Sequence, residues 1–329
     1  MTTRRGTTRR GLLRTTLALG GGALLVPAGW MPRARAANAK WRIGFSQATT
    51  LEPWRVQFNK DLKAEAAKHP EADVLFADAE DHTEKQVADM EAFISRDVDL
   101  ILISPKESAG LTAVVEQAMG AKIPVILLDR NINSDDYTQW IGGDNVVIGR
   151  AAGTFIVGAM GGAGQAHGNI VEIWGGLGTQ ASHDRSDGFH AVADKEPGLK
   201  YLLKQQSADW KQDKAYEVMA TALRNFEQID LVYAHNDPMA YGAYLAAKDA
   251  KREKEIRFVG VDGLPNEGVK YVYDGILLAT FLYPTPGAEG LRQGLKLLGG
   301  GTLEKKIVLP TTTYTKANAG EVLKANGLL

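Results

Sequence analysis

Asp, Asn, Arg and Trp recur in this sequence just beyond short apolar runs. Glu52, Trp54 and Arg55 follow the run at 41–46, and Asp129-Arg130 follow 125–128. Glycines and then His183-Asp184-Arg185 follow 169–174, and Asp209-Trp210 follow 201–206. His235-Asn236-Asp237 come after 231–234, and Asp262-Gly263 after 257–261. Asp accepts hydrogen bonds, Arg donates a planar fork and Asn does both. Vicinal hydroxyls need donors and acceptors together, and charged partners make those bonds strong. Indole faces cover the C–H faces of a sugar ring at low entropy cost. Asp129, Arg130, Arg185, Asn236, Asp262, Trp54 and Trp210 therefore suit a site for a polyol. Each alone has a plainer reading: Asp or Asn after a strand caps the next helix, and a lone Trp is core. The recurrence favours a shared site.

The elements that would present these residues alternate. Runs at 41–46, 73–77, 100–104 and 125–128 read as strands, with helical spacing at 54–68, 83–96 and 111–119. Pro53 suits the first turn of the first helix, with Glu52 just before it. Val56, Phe58, Leu62 and Ala66 would form that helix's apolar spacing, and Thr83 would cap the second helix. Strands apolar on both faces imply a parallel sheet covered on each side by helices. The pattern then restarts. Helices are expected at 145–160, 213–224, 239–250, 267–274 and 288–298, with another beginning at 186–193. Strands are expected at 169–174, 201–206, 231–234, 257–261, 277–281 and 306–308. The fold class is α/β: two doubly wound parallel-sheet lobes of similar size. In such sheets ligands sit beyond the carboxyl ends of the strands.

The N-terminus reads as an export signal, residues 1–39. Residues 2–14 hold five arginines and no acid, and an apolar Gly/Ala/Leu run follows at 17–26. Ala34-Arg35-Ala36 and Ala37-Asn38-Ala39 are cleavage patterns of the small-x-small kind. Thr8-Arg9-Arg10-Gly11-Leu12-Leu13-Arg14 has the twin-arginine form. The apolar run is far shorter than the roughly 20 residues of a membrane span. Without residues 1–36, Lys+Arg falls from 38 to 31 against 39 Asp+Glu, a net charge of −8. That disfavours nucleic acid, which needs clustered cations. There is no cysteine, so neither disulfides nor a lipid anchor on cysteine are expected. An unanchored exported chain points to the periplasm of a cell with two membranes.

Enzyme motifs are missing. Gly142-Gly143-Asp144 lacks the spacing of a dinucleotide fingerprint, and Gly175-Gly176-Leu177-Gly178 lacks the Lys-Ser/Thr of a phosphate loop. There is no G-x-S-x-G elbow. His183 and His190, seven residues apart across an expected loop-to-helix junction, make a weak zinc pair. No metal, cofactor or catalytic residue is expected. A transcription regulator of this fold would need a helix-turn-helix, for which residues 1–40 leave no place.

From 41 to 315 the chain resembles the type I periplasmic sugar-binding proteins of the ribose-binding cluster. The segments that carry the resemblance are Ile43-Gly44-Phe45-Ser46-Gln47, Leu127-Leu128-Asp129-Arg130, Asp184-Arg185-Ser186-Asp187-Gly188-Phe189, Tyr233-Ala234-His235-Asn236-Asp237-Pro238-Met239 and Val259-Gly260-Val261-Asp262-Gly263. The resemblance implies ligand-binding roles for Asp129, Arg130, Arg185, Asn236 and Asp262, with Trp210 and Trp54 at aromatic positions. Ribose binders carry Asn-Pro and two aromatics where this chain has Glu52-Pro53-Trp54-Arg55. Galactofuranose binders share the Trp-Arg, which supports a furanose or related polyol and adds Glu52 and Arg55 to the candidates. Tyr283 falls in a stretch with no clear match to the glutamine of ribose binders, and His183 has no counterpart. The resemblance also implies three hinge crossings, near Asp144, Pro284 and Pro310. The first lobe would be 40–143 plus 284–310, and the second 144–283 plus 311–329. It implies a monomer that closes on its ligand and delivers it to an inner-membrane ABC permease with its ATPase. Presentation to a chemoreceptor or sensor kinase, and action as a sugar enzyme, are the alternatives.

Overall fold

The computed structural model describes residues 39–329. The expected signal, with Arg9-Arg10 and the apolar run, lies outside the described residues. Two sheets organise the rest. The first contains β1 (Trp41–Gln47), β2 (Ala72–Asp78), β3 (Leu100–Ile103), β4 (Val125–Leu128), β5 (Gln139–Gly143) and β12 (Lys306–Leu309). Its order is β12-β5-β4-β3-β1-β2, all parallel. The second contains β6 (His167–Trp174), β7 (Gly198–Tyr201), β8 (Gln206–Ser207), β9 (Leu231–Ala234), β10 (Arg257–Val259), β11 (Ala279–Phe281) and β13 (Thr313–Thr315). It runs β13-β11-β10-β9-β6-β7, with β8 beside β6, and only β13 is antiparallel to its neighbour. The chain crosses between the sheets after β5, before β12 and between β12 and β13.

The apolar runs explain the layering. β3 (Leu-Ile-Leu-Ile) and β4 (Val-Ile-Leu-Leu) are buried throughout. Alternate side chains serve opposite faces. Leu100, Leu102, Ile126 and Leu128 join a core with Phe58, Leu62 and Leu291. Ile101, Ile103, Val125 and Leu127 join another with Met90, Phe93, Leu111 and Val115. Each such side chain contributes about 1.5–3 kcal/mol by leaving water. The first core is built by α1 (Pro53–Ala66) and α9 (Gly287–Leu298), the other by α2 (Thr83–Ser95) and α3 (Ser108–Gly120). On the second sheet α4 (Asn145–Ala159) packs against α5 (Gln180–Ala193), and α6 (Gln212–Asn225) against α7 (Asp237–Asp249).

Several local expectations are corrected. The helix expected from Ser186 begins at Gln180, so His183, Asp184 and Arg185 are helical rather than loop residues. The expected strand at 201–206 splits into β7 and β8, with Gln205 turned to a φ of 42° between them. The strand expected at 257–261 stops at Val259, and that expected at 277–281 starts at Ala279. The helix expected at 267–274 is a π-helical turn, Pro265–Val269, leading into α8 (Lys270–Tyr273). Thr83 opens α2 but does not cap it; His82 occupies the cap without a side-chain bond. Val56 lies on the exposed side of α1, whose buried apolar line is Trp54, Phe58 and Leu62. β13 and α10 (Ala319–Ala325) had no signal in the sequence reading.

Candidate functional site

The carboxyl ends of β1, β4, β6, β9 and β10 lead into one cavity between the sheets. It encloses about 400 Å³ of empty space and is lined by Glu52, Trp54, Arg55, Asp129, Arg130, Arg185, Trp210, Asn236, Asp262 and Tyr283, together with Ala181. The sequence reading singled out the first ten of these and missed Ala181.

The first wall is an ion-pair cluster. α1 starts with Pro53 after Glu52, which places Trp54 and Arg55 in its first turn. Arg55 Nη2 lies 2.6 Å from Asp129 Oδ2, and its Nη1 donates to Ser104 Oγ at 2.7 Å and Gln47 Oε1 at 3.1 Å. Tyr283 Oη donates to Asp129 Oδ1 at 2.6 Å. The Trp54 ring stacks on Tyr283 at 5.1 Å, and its Nε1 donates to the Tyr283 carbonyl. Burial pushes the Asp129 carboxyl up, but Arg55, Arg130 and Tyr283 outweigh it and hold it below its ordinary value. Arg130 is pushed down to about 10 by burial and by Arg55, with Asp129 pulling the other way. Its Nη1 donates to the Lys106 carbonyl at 2.7 Å.

The second wall is differently balanced. Arg185 Nε donates to Asn145 Oδ1 at 2.8 Å, and Nη1 donates to the His235 carbonyl and lies 3.9 Å from Asp262 Oδ1. The approach of α4 to α5 fixes this arginine. A Cβ on Gly149 would lie 2.3 Å from the Arg185 carbonyl oxygen, and one on Gly188 2.4 Å from that of Val146. Asn236 caps α7, accepting from Met239 N at 2.9 Å, while its Nδ2 donates to the Trp210 carbonyl at 3.0 Å. The capping reading and the lining position thus coexist in one side chain. Asp262 and its neighbour Asp237 are both raised well above their ordinary value, first by burial. Glu267, behind them, is raised to about 7 by burial. Asp237 Oδ1 and Glu267 Oε2 have no hydrogen-bond partner among the described residues.

Backbone strain gathers here. Asp129 (φ 70°), Trp210 (φ 67°) and Asp262 (φ 125°) are non-glycine residues at positive φ. Each such position costs on the order of 1–3 kcal/mol and persists only where surroundings enforce it. For a bulky Trp it is an outlier. Trp210 is enforced from beneath: a Cβ on Gly175 would sit within 2.4 Å of the indole ring. Above it, Arg130 and Arg185 stand 5.7 and 5.4 Å from the ring.

The periplasmic binding protein domain model matches residues 43–302. The chain belongs to that family. Among curated proteins it is 32% identical over 299 residues to the galactofuranose-binding protein YtfQ of Escherichia coli strain K12, covering 88% of this chain and 92% of that one. It is 32% identical over 295 residues to the ribose import binding protein RbsB of Bacillus subtilis strain 168, covering 89% and 93%. Among solved structures, the fructose-binding periplasmic domain of a hybrid two-component system superposes with a TM-score of 0.83 at 39% identity, covering 87% and 94%. Two parallel-sheet lobes of the type I form are the fold this family shares.

Some residues around the cavity escaped the sequence reading. Ser104 follows β3 and bridges Arg55 and Asp129, but the sequence reading placed it inside the expected strand 100–104. His183 stays out of the cavity wall: its Nε2 donates to the Leu177 carbonyl at 2.9 Å and its ring meets Trp174 edge-on. It and His190 lie on one helix, and His190 is taken by Glu172 and Asp194.

Proposed function

We propose that this chain is an exported substrate-binding protein that captures a monosaccharide or related polyol, furanose hexoses and pentoses favoured, for an ABC importer. The observation that carries the reading is the convergence of paired carboxylates, three arginines, an amide and two indoles from both lobes on one small cavity. Charged donors and acceptors suit hydroxyls, and the indoles suit the ring's C–H faces. The family supplies binding proteins rather than enzymes. Trp54-Arg55 and the likeness to a galactofuranose-binding protein support the five-membered ring.

In this reading Glu52, Trp54, Arg55, Asp129, Arg130, Arg185, Trp210, Asn236, Asp262 and Tyr283 contact the ligand. The lobes are 40–143 plus 284–310 and 144–283 plus 311–329, and they close about the three crossings. Contacts from both lobes stabilise the closed form, a population shift rather than chemistry. A permease of the inner membrane with its ATPase would then accept a monomeric, periplasmic carrier exported through its twin-arginine signal. The similar fructose-binding domain belongs to a two-component system, which makes presentation to a sensor the second reading.

The test is a thermal-shift panel of sugars and polyols on the chain from Asn38 onward. A ligand at about 100 times its dissociation constant adds roughly 2.7 kcal/mol. A clear shift with a furanose-forming sugar supports the reading, and titration calorimetry then gives the affinity. No shift across the panel, with protein freed of carried ligand by unfolding and refolding, overturns it.

A further inference from the structure

A second cavity adjoins the first. It encloses about 680 Å³ of empty space and shares Asp129, Arg130 and Ala181 with its neighbour. Tyr137, Trp140 and Lys306 border it from the first sheet's side, and Asn145, Gln180 and Asp184 from the second's. We infer that this compartment is a second subsite, which takes the substituent of a substituted sugar: another ring or a polyol arm joined to the ring in the first cavity. The inference rests on the sugar-binding reading above and names a larger ligand class for it.

Three features support it. The two compartments share Asp129, Arg130 and Ala181 as lining, and Ala181 offers only a methyl, so it is the shared residue that least obstructs a substituent reaching from the first into the second. The lining repeats the chemistry of the first site. Trp140 and Tyr137 supply rings, and Gln180 with Asp184 supplies donors and acceptors. Gln180 Nε2 donates to Asp184 Oδ1 at 2.7 Å, which leaves the amide oxygen and the other carboxylate oxygen to bond hydroxyls. Asp184 is partly buried and has Asp187 and Asp144 as neighbouring charges, so hydroxyl donors would relieve it. Finally, the rim is open: Lys306 is exposed, with Nζ 5.0 Å from the Trp140 ring. An occupant would touch both lobes and strengthen closure.

The test is calorimetric titration of the chain from Asn38 onward with paired probes: fructose against sucrose and lactulose, and galactose against methyl β-D-galactofuranoside. At least one substituted sugar is expected to bind within tenfold of its free partner, or tighter. Gln180→Trp, which fills only the second compartment, should weaken that substituted sugar at least tenfold and the free sugar less than twofold. Asp184→Ala should show the same pattern. Free sugars that bind while every substituted one is more than 100-fold weaker overturn the inference and leave the binding function standing. Equal effects of both variants on free and substituted sugars overturn it too. Binding of none of the probes defeats this inference, while the wider panel decides the binding function.

Discussion

On the first wall of the cavity, Asp129 meets two arginines, a phenol and a serine. On the second, Asp262 faces one arginine across 3.9 Å, with Asp237 and Glu267 among the charges around it. Both walls are buried, yet their acids respond in opposite directions. Asp129 is held ionised by its partners, while the second wall's acids are held toward the protonated form by burial. Burial alone therefore does not decide the charge of a site; the local count of cations does. The first wall pairs its charges among its own residues, and burial pushes the second wall's acids toward their neutral form.

The sharpest way to break this contrast is to neutralise one acid on each side. Asp129→Asn leaves Arg55 and Arg130 buried without their carboxylate, and removing one partner of a buried pair costs about 3–5 kcal/mol. Urea unfolding should show that loss as a lower midpoint at unchanged slope. Asp237→Asn should cost clearly less, because burial raises the Asp237 carboxyl and favours the neutral form that the amide resembles. Equal losses from the two variants would remove the distinction between the walls.

Glu267→Gln sharpens it through pH. A carboxyl whose folded value is raised to about 7 from 4.5 binds its proton more tightly in the folded chain. Its contribution to stability is full below about 4.5 and is lost as pH rises through about 7. Glutamine cannot lose that proton, so the variant should gain roughly 3 kcal/mol over the parent at pH 8 and little at pH 4. Urea titrations across that range would show the difference growing between the two limits. A difference independent of pH would mean that the Glu267 carboxyl titrates alike in the folded and unfolded chain.

The contrast also marks how far the sequence could be read. The strand-end rule led to Asp129, Arg130, Asp262 and their companions because a parallel sheet delivers its strand ends to one side. It overlooked Ser104, since the expected strand was drawn through residue 104 whereas β3 ends at Ile103. Arg185, which lines the cavity, was singled out but placed on a loop, because Gly-rich 175–178 hid the early start of α5 at Gln180. The raised pKa values of the second wall's acids were beyond reach. Asp237 read only as a polar residue after the strand at 231–234, and nothing local reveals that Gly260 and Gly268 leave room for its carboxylate. Opposition of the walls is tertiary, so no local spacing encodes it.

Removing ligand contacts from each wall in turn should give intermediate effects. Arg130→Ala and Asp262→Ala are each expected to weaken sugar binding by about 1–3 kcal/mol, through hydroxyls left unpaired in a closed cleft. The fold should survive both. Calorimetry with the best sugar of the panel measures the loss, and parent-like affinity in both variants would remove these residues from the site. Asp262→Ala should change the pH dependence of binding more than Arg130→Ala, since burial raises the Asp262 carboxyl whereas cations hold Asp129 low.

The smallest effect belongs to the cleft's edge, where the lobes meet through partly exposed charges instead of fully buried ones. Lys211 Nζ reaches Asp81 Oδ2 at 2.6 Å and Asp209 Oδ2 at 3.0 Å, while Lys106 pairs with Asp81 and stands 3.7 Å from Asp209. Asp81 and Lys106 follow strands of the first sheet, and Asp209 and Lys211 follow β8 of the second. Two lysines and two aspartates thus bridge the lobes as an alternating square. The Asp81 and Asp209 carboxyls are held low by the lysines against a burial effect that pushes them up. Partly exposed pairs of this kind contribute up to about 1 kcal/mol and are screened by salt. Lys211→Met should therefore speed ligand release by up to about fivefold at low salt. The difference from the parent should shrink as salt is raised, because the parent loses the same attraction to screening. Stopped-flow release rates across a salt series would show it. A release rate unchanged by the substitution would mean that the Lys211 bridge adds nothing to closure.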